Sequence, residues 1–304
     1  MVASRLRHPR LAWLLIVSLP GSVIIGMGLA RASEPILVGV LEDLETANAD
    51  LSPRMATPHV RLAFEYHGRA WHSLSGEYPS RVTWTVVFNG RAIGKIQSRS
   101  DRYPAYLGGD VGIESITTPA SAVPRIKLDA SNFWYTEVRA RNRPLLLVSV
   151  PHARDPDHWK PAVLSVAEKQ LAITAFREKV PRLEHCDQPE KQPIHQLRYS
   201  DAEIIFIKAY RSKSGEVLVG ARLNDRRSNC GFFDDPVFFD YWFVLLDAVA
   251  RFLDTQMVPM DAADLADAGK SVWVFQTSRG EDDDEYELFY DDFSKEVPTG
   301  WSYH

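Results

Sequence analysis

No short catalytic signature occurs anywhere in the 304 residues: there is no Gly-x-Ser-x-Gly elbow, no His-Glu-x-x-His, no phosphate loop and no dinucleotide fingerprint. Each missing motif sets aside the enzyme families that depend on it, because each encodes a local geometry the chemistry needs. Carboxylate-pair glycosidases survive this filter, since their acids come from distant segments and leave no short pattern. Cysteine is scarce, with only Cys186 and Cys230, so one intramolecular disulfide is the most the chain can form. No fixed-period repeat marks the whole chain as a solenoid or propeller. Basic residues are in deficit, 35 against 40 acids, for a net charge of −5. Such a surface repels phosphate backbones and argues against nucleic acid as a partner.

Long apolar runs are also lacking, with one exception. Arg5, Arg7 and Arg10 precede an apolar stretch from Leu11 to Ala30, and Ala30-Arg31-Ala32 follows. A basic segment, an apolar segment and small residues at −3 and −1 form a secretion signal, with cleavage expected after Ala32. The alternative is an uncleaved N-terminal membrane anchor, because about 20 apolar residues just span a bilayer. Pro20, Gly21, Gly26, Gly28, Ser18 and Ser22 interrupt the run, which favours cleavage. No cysteine adjoins the cut, so no lipid attaches there. The expected mature chain, residues 33–304, is not membrane-embedded and is secreted or periplasmic. Its net charge is −9, because the leader carries four arginines and no acids.

Export delivers Cys186 and Cys230 to an oxidising space, where we expect them to pair. On the chain-entropy view such a bridge contributes about 3 to 4 kcal/mol. A free nucleophilic cysteine beside His185 is the alternative. With 45% hydrophobic residues, the mature chain can bury a sizeable core as one large domain or as two lobes dividing near residues 181–200.

Strand signals dominate what remains. Val82–Phe88 and Ala92–Ile96 flank Asn89-Gly90, the strongest short hairpin signal because both residues tolerate positive φ. Val60–Tyr66 and Phe133–Val138 also read as strands, and Leu145–Val150 as a buried strand. Residues 203–223 form a second hairpin around Ser212-Lys213-Ser214-Gly215. Between Val237 and Met260 a helix and two strands compete, and aromatic and branched residues favour strands. Val272–Phe275 and Tyr286–Tyr290 form a final pair. The helix candidate is 161–180, bracketed by Pro161 and Pro181, with Leu164, Glu168, Leu171, Ala175 and Lys179 at helical spacing. The stretch with Cys186, Pro189 and Pro193 reads as a polar surface loop. The fold class is therefore mainly β (α+β), antiparallel sheets and hairpins with at least one helix.

Two local clusters could carry chemistry. His152, Asp155, Asp157 and His158 place four ligand or acid-base groups within seven residues; they could hold zinc or act catalytically. Asp155-Pro156-Asp157 is equally strong turn chemistry. The second cluster runs Asp261, Asp264, Asp267, Gly269, Lys270, then an apolar strand, an acidic turn and a Tyr-Glu-Leu-Phe-Tyr strand. This order resembles one degenerate blade of the FG-GAP or VCBS calcium-loop repeats of secreted proteins. The resemblance covers about a tenth of the chain and implies a calcium loop, yet Ala266 and Ala268 stand where two ligands belong. Asp261, Asp264 and Asp267 then mark a vestigial metal site. Otherwise Pro259–Ala268 is a short alanine-rich helix closed by Gly269. Both readings leave the three aspartates exposed. The acids of 281–292, eight in twelve residues, read as a solvated turn.

No cofactor other than calcium is indicated. The expected function is a non-catalytic binding or structural module of the cell envelope with a carbohydrate or other envelope partner. The alternative is a secreted hydrolase of polysaccharide or peptidoglycan fragments, with seven mature-chain tryptophans available as a sugar platform or as core.

Overall fold

The computed structural model describes residues 34–43, 57–74, 80–100, 113–128, 141–188, 191–223, 240–278 and 283–302. Residues 34–304 form one compact unit. The leader, Phe133–Val138 and Cys230 lie outside the described residues.

The first seven strands are β1 (Ile36–Glu42), β2 (His59–His67), β3 (Ala70–Ser73), β4 (Arg81–Phe88), β5 (Arg91–Ser100), β6 (Ile113–Ile116) and β7 (Leu145–Val148). They pair in the order β1-β7-β4-β5-β6-β2-β3, and β1 also pairs with β2. Six of them therefore close on themselves as an antiparallel barrel, which leaves no open edge within the ring. The β4–β5 turn matches the sequence expectation: Asn89 and Gly90 take φ of 50° and 67°, as a two-residue I′ hairpin requires. Alternation along each strand sorts the side chains. Leu37, Leu41, Trp84, Val86, Leu145 and Leu147 share one cluster inside the ring, while Val38, Val40, Phe64, Leu146 and Val148 belong to a second cluster outside it. Both faces of β7 are covered, which is why Leu145–Val148 reads as an unbroken apolar run.

Trp84 fills the ring. Its Nε1 donates to Ser98 Oγ at 2.7 Å, and Ser98 donates in turn to Glu114. Gly39 makes room for this packing, because a Cβ there would lie 2.9 Å from the Arg61 carbonyl oxygen and 3.6 Å from Trp84. Gly39→Ala forces strand separation at the β1 bulge. It is expected to cost about 1 to 3 kcal/mol, read as a lower denaturant midpoint with an unchanged slope.

The middle of the chain supplies β8 (Lys160–Pro161), α1 (Val166–Lys179), β9 (Leu183–Gln188), β10 (Lys191–Leu197), β11 (Ile204–Arg211), β12 (Val217–Leu223), β13 (Tyr241–Leu246) and β14 (Val249–Thr255). A five-stranded sheet runs β14-β13-β12-β11-β8, and α1 covers one face of it through Ala172, Ala175 and Phe176. The helix starts five residues later than Pro161 suggested, because Ser165 and Glu168 form a capping box. In it Ser165 Oγ accepts from Glu168 N at 3.3 Å, while Glu168 Oε2 accepts from Ser165 N at 2.7 Å. Pro161 sits instead in the edge strand β8, opposite Tyr210.

The expected polar surface loop is a two-stranded ribbon, β9 with β10. Its backbone groups satisfy each other, and Leu183 and Leu197 pin its base to the helix-side core. Pro193 falls at the irregularity in the register, where a missing N–H does least harm.

The last strands, β15 (Met257–Ala263), β16 (Val272–Ser278), β17 (Asp283–Tyr290) and β18 (Lys295–Ser302), form a simple meander. This sheet is covered on both faces. Met260, Val274, Tyr286 and Leu288 pack on the barrel, and Met257, Trp273, Phe275 and Phe289 pack on the five-stranded sheet beside Trp242 and Val244. The alanine-rich helix over 259–268 is not formed. Small and apolar residues there fit between two sheets, and packing overrides intrinsic helix preference. The acidic tract is also not uniformly solvated: Glu287 is fully buried, whereas exposed Asp291 and Asp292 pair with Lys295 and Lys270 at 2.6 and 3.0 Å.

A buried ionic cluster ties the barrel to this meander. Glu42 accepts from His59 Nε2 at 2.7 Å, Arg61 Nε at 3.0 Å and Tyr286 OH at 2.6 Å. Burial alone pushes a carboxyl pKa up. Here the Arg61 charge and the His59 and Tyr286 contacts overcome that effect and hold Glu42 well below the usual carboxylate range. His59, Arg61 and Tyr286 are all sequestered from solvent, so the cluster is a lock between layers.

Candidate functional site

The two acidic clusters seen in the sequence meet in space. Asp264 N donates to the Arg154 carbonyl at 2.7 Å, and these residues form an isolated β-bridge. Asp155 Oδ1 accepts from Asp157 N at 3.1 Å and from Ser271 Oγ at 2.6 Å, while Asp155 Oδ2 accepts from Trp159 N at 2.6 Å. Asp157 Oδ2 accepts from Ser271 N at 2.7 Å. The Asp-Pro-Asp segment is thus a self-bonded turn docked on residues 264–271, and both Asp155 oxygens are occupied.

His152 leaves this group to approach exposed Asp267 at 3.7 Å, and His158, with φ of 53°, is exposed. Among the described residues, no three histidine, cysteine, aspartate or glutamate side chains are placed to hold one metal ion. The zinc reading of residues 152–158 therefore has no ligand set behind it.

The calcium reading of 261–269 fits no better. Asp264 is buried, not exposed as the sequence suggested. It caps its own turn, accepting from Ala268 N at 2.9 Å and Gly269 N at 2.8 Å, while positive φ at Asp267 and Gly269 completes the bend. Its oxygens face N–H donors, whereas calcium needs six to eight converging oxygens. Asp267 is exposed as expected and pairs with Arg154 at 3.1 Å. Asp261 points elsewhere, accepting from Gly90 N at 3.0 Å and Ala262 N at 2.8 Å.

That third direction leads into a cleft of about 1030 Å³, walled by the Asn89-Gly90 turn, residues 153–162, β11, β15 and Trp273. Gly90 is required at this corner twice over. Its φ is positive, and a Cβ would lie 2.4 Å from the Asp155 Cβ. Asp261 lines this cleft and is half-buried. Burial pushes its pKa up to about 6, against the opposing pull of the Ala262 and Gly90 N–H groups and the Arg143 charge. Arg143 donates to the Met260 carbonyl at 2.6 Å and lies 5.3 Å from the centre of the Phe88 ring.

Five cationic side chains line the cleft, Arg91, Arg143, Arg154, Lys160 and Lys208, against two acids, Asp155 and Asp261. Aromatic rings complete the wall. Trp159 meets Trp273 edge-on at 5.3 Å, and Tyr210 lies 5.2 Å from Trp273. Trp273 is almost wholly buried, and its indole N–H has no hydrogen-bond partner among the described residues.

Sequence reasoning located Asp155, His158 and Asp261 but missed Arg91, Arg143, Lys160 and Lys208. These lie far apart along the chain and form no local motif. Cys186 lies on β9 opposite Ile194. Among the described residues, no helix is long and apolar enough to cross a membrane. No protein-family model, no curated protein and no solved structure matches the chain.

Proposed function

We propose that this chain is an exported, non-catalytic binding protein of the cell envelope and that its cleft takes an anionic, sugar-type ligand. The observation that carries this reading is the inverted charge of the cleft. On a chain of net charge −5, this concavity gathers five cations, of which Arg154 is paired with Asp267 outside the lining, and two acids beside aromatic rings. Cations recognise carboxylate or sulfate groups, and flat amphipathic rings suit sugar faces. The signal with cleavage near Ala32, secreted or periplasmic residence and the Cys186–Cys230 disulfide belong to the same reading. The FG-GAP likeness enters as fold analogy: a turn capped by Asp264 followed by paired strands is consistent with a blade whose turn persists without an ion.

The hydrolase alternative is supported by one group, Asp261, whose pKa of about 6 suits a general acid. A glycosidase needs a second carboxylate, and Asp155 has both oxygens engaged. The test is calorimetric titration of the full chain with digalacturonate and with neutral cellobiose. Binding of the acidic sugar alone, weakened roughly tenfold by Lys160→Glu, is the expected result. Equal binding of both sugars overturns the charge argument, and release of new reducing ends, abolished by Asp261→Asn, overturns the non-catalytic assignment.

A further inference from the structure

The cleft does not end at Lys160. A second hollow of about 570 Å³ lies beyond it, and His158, Lys160, Pro161 and Ala162 line both. The two concavities share one wall, the short edge strand β8 and the residue pairs that flank it. Past this saddle the second hollow is bounded by Val163, Arg211 and Lys213. Arg211 is engaged by Glu168 at 2.6 and 3.0 Å, so its charge is largely balanced there. Lys213 is exposed and held in place through its backbone, its N–H donating to the Asp157 carbonyl at 2.7 Å. Val163 is 88% exposed and adds apolar surface to the same hollow.

We infer that the ligand is a linear acidic polysaccharide that lies in the cleft and runs across β8 into the second hollow. This rests on the anionic-sugar reading above and adds to it length and direction. Lys160 faces both hollows, so a single continuous chain can use it from either side, whereas two separate small anions would compete for it. A peptide added along β8 is disfavoured: the strand is two residues long, and Pro161 has no N–H to offer a neighbouring strand. A polysaccharide with spaced carboxylates matches cations that are separated by aromatic and apolar surface.

Calorimetric titration of the full chain with digalacturonate and octagalacturonate tests this, with cello-octaose and an oligothymidylate of similar length as controls. The octamer is expected to bind roughly tenfold more tightly than the dimer, as a second station adds to the first. Lys213→Glu should remove that advantage while leaving dimer affinity and the melting temperature unchanged, and Lys213→Ala should remove part of it. If dimer and octamer bind equally, or if Lys213→Glu alters neither affinity, the extended path is wrong and the cleft reading stands. If neither acidic sugar binds, both are wrong. Preference for the neutral octamer or for the oligothymidylate would replace the acidic polysaccharide and overturn the inference.

Discussion

Replacing Glu42 by alanine is expected to cost about 3 to 5 kcal/mol of stability, the range for removing one partner of a buried ion pair. The side chain is 4% exposed as a residue and accepts from His59, Arg61 and Tyr286 at once. Its removal takes away the carboxylate that the buried Arg61, His59 and Tyr286 side chains all contact. Glu42→Gln keeps the volume and an acceptor oxygen and should lose less, so the difference between the two variants reads the charge. Urea unfolding at neutral pH measures both, and a loss below about 1 kcal/mol for Glu42→Ala would show that the layers do not depend on this lock. The pKa of Glu42 is depressed in the folded state. Its contribution is therefore complete above the ordinary carboxylate range and is lost as pH falls towards the folded value. Wild-type stability should decline on acidification more steeply than that of Glu42→Gln.

Asp261→Asn should act in the opposite sense. The folded-state pKa of Asp261 is raised from 3.8 to about 6. Between those values the unfolded chain gives up the proton while the folded chain keeps it, so stability falls as pH rises through this window. Above pH 6 the charge costs at most about 3 kcal/mol, less to the extent that solvent in the cleft screens it. Asparagine retains an oxygen for the Gly90 and Ala262 N–H groups and carries no charge. The variant should therefore be more stable than wild type at pH 7.5, equal to it below pH 4, and flatter between. It should also bind acidic sugars more tightly at pH 7.5, because a negative charge leaves the lining of the cleft. Denaturation midpoints across pH, together with the same titrations, check both, and a variant less stable than wild type at pH 7.5 would refute the raised pKa of Asp261.

Local chemistry was the legible part of the fold. Asn89-Gly90 announces its turn because few residues tolerate positive φ, and Leu145–Val148 announces a strand covered on both faces. The 203–223 hairpin and the strand Tyr241–Leu246 follow from aromatic and branched residues, whereas β15 runs into the stretch that reads as a short helix or a calcium loop. The ribbon at 183–197 was missed because its stability comes from mutual backbone pairing and two anchoring leucines, which leave no alternating pattern. The helix start was misplaced because Pro161 is a weaker positional signal here than the Ser165–Glu168 box. Closure of the barrel depends on β1 meeting β2 and β7, contacts between distant segments that no window of sequence contains. The site was half legible for a similar reason. Asp155, Asp264 and Asp261 stand out as acids, but apart from the Ser271 hydroxyl on Asp155 their hydrogen-bond donors described above are main-chain N–H groups, and amide donors that turn a suspected ligand into a turn cap have no letter in a sequence. The cations that give the cleft its sign come from four separate segments.

The meander β15–β18 lies between the barrel and the helix-backed sheet, and in chain order it follows every other described strand. Each of those layers therefore keeps one greasy side uncovered until this stretch slots between them. The cleft, which Asp261 on β15 helps to line, comes into being only with that insertion.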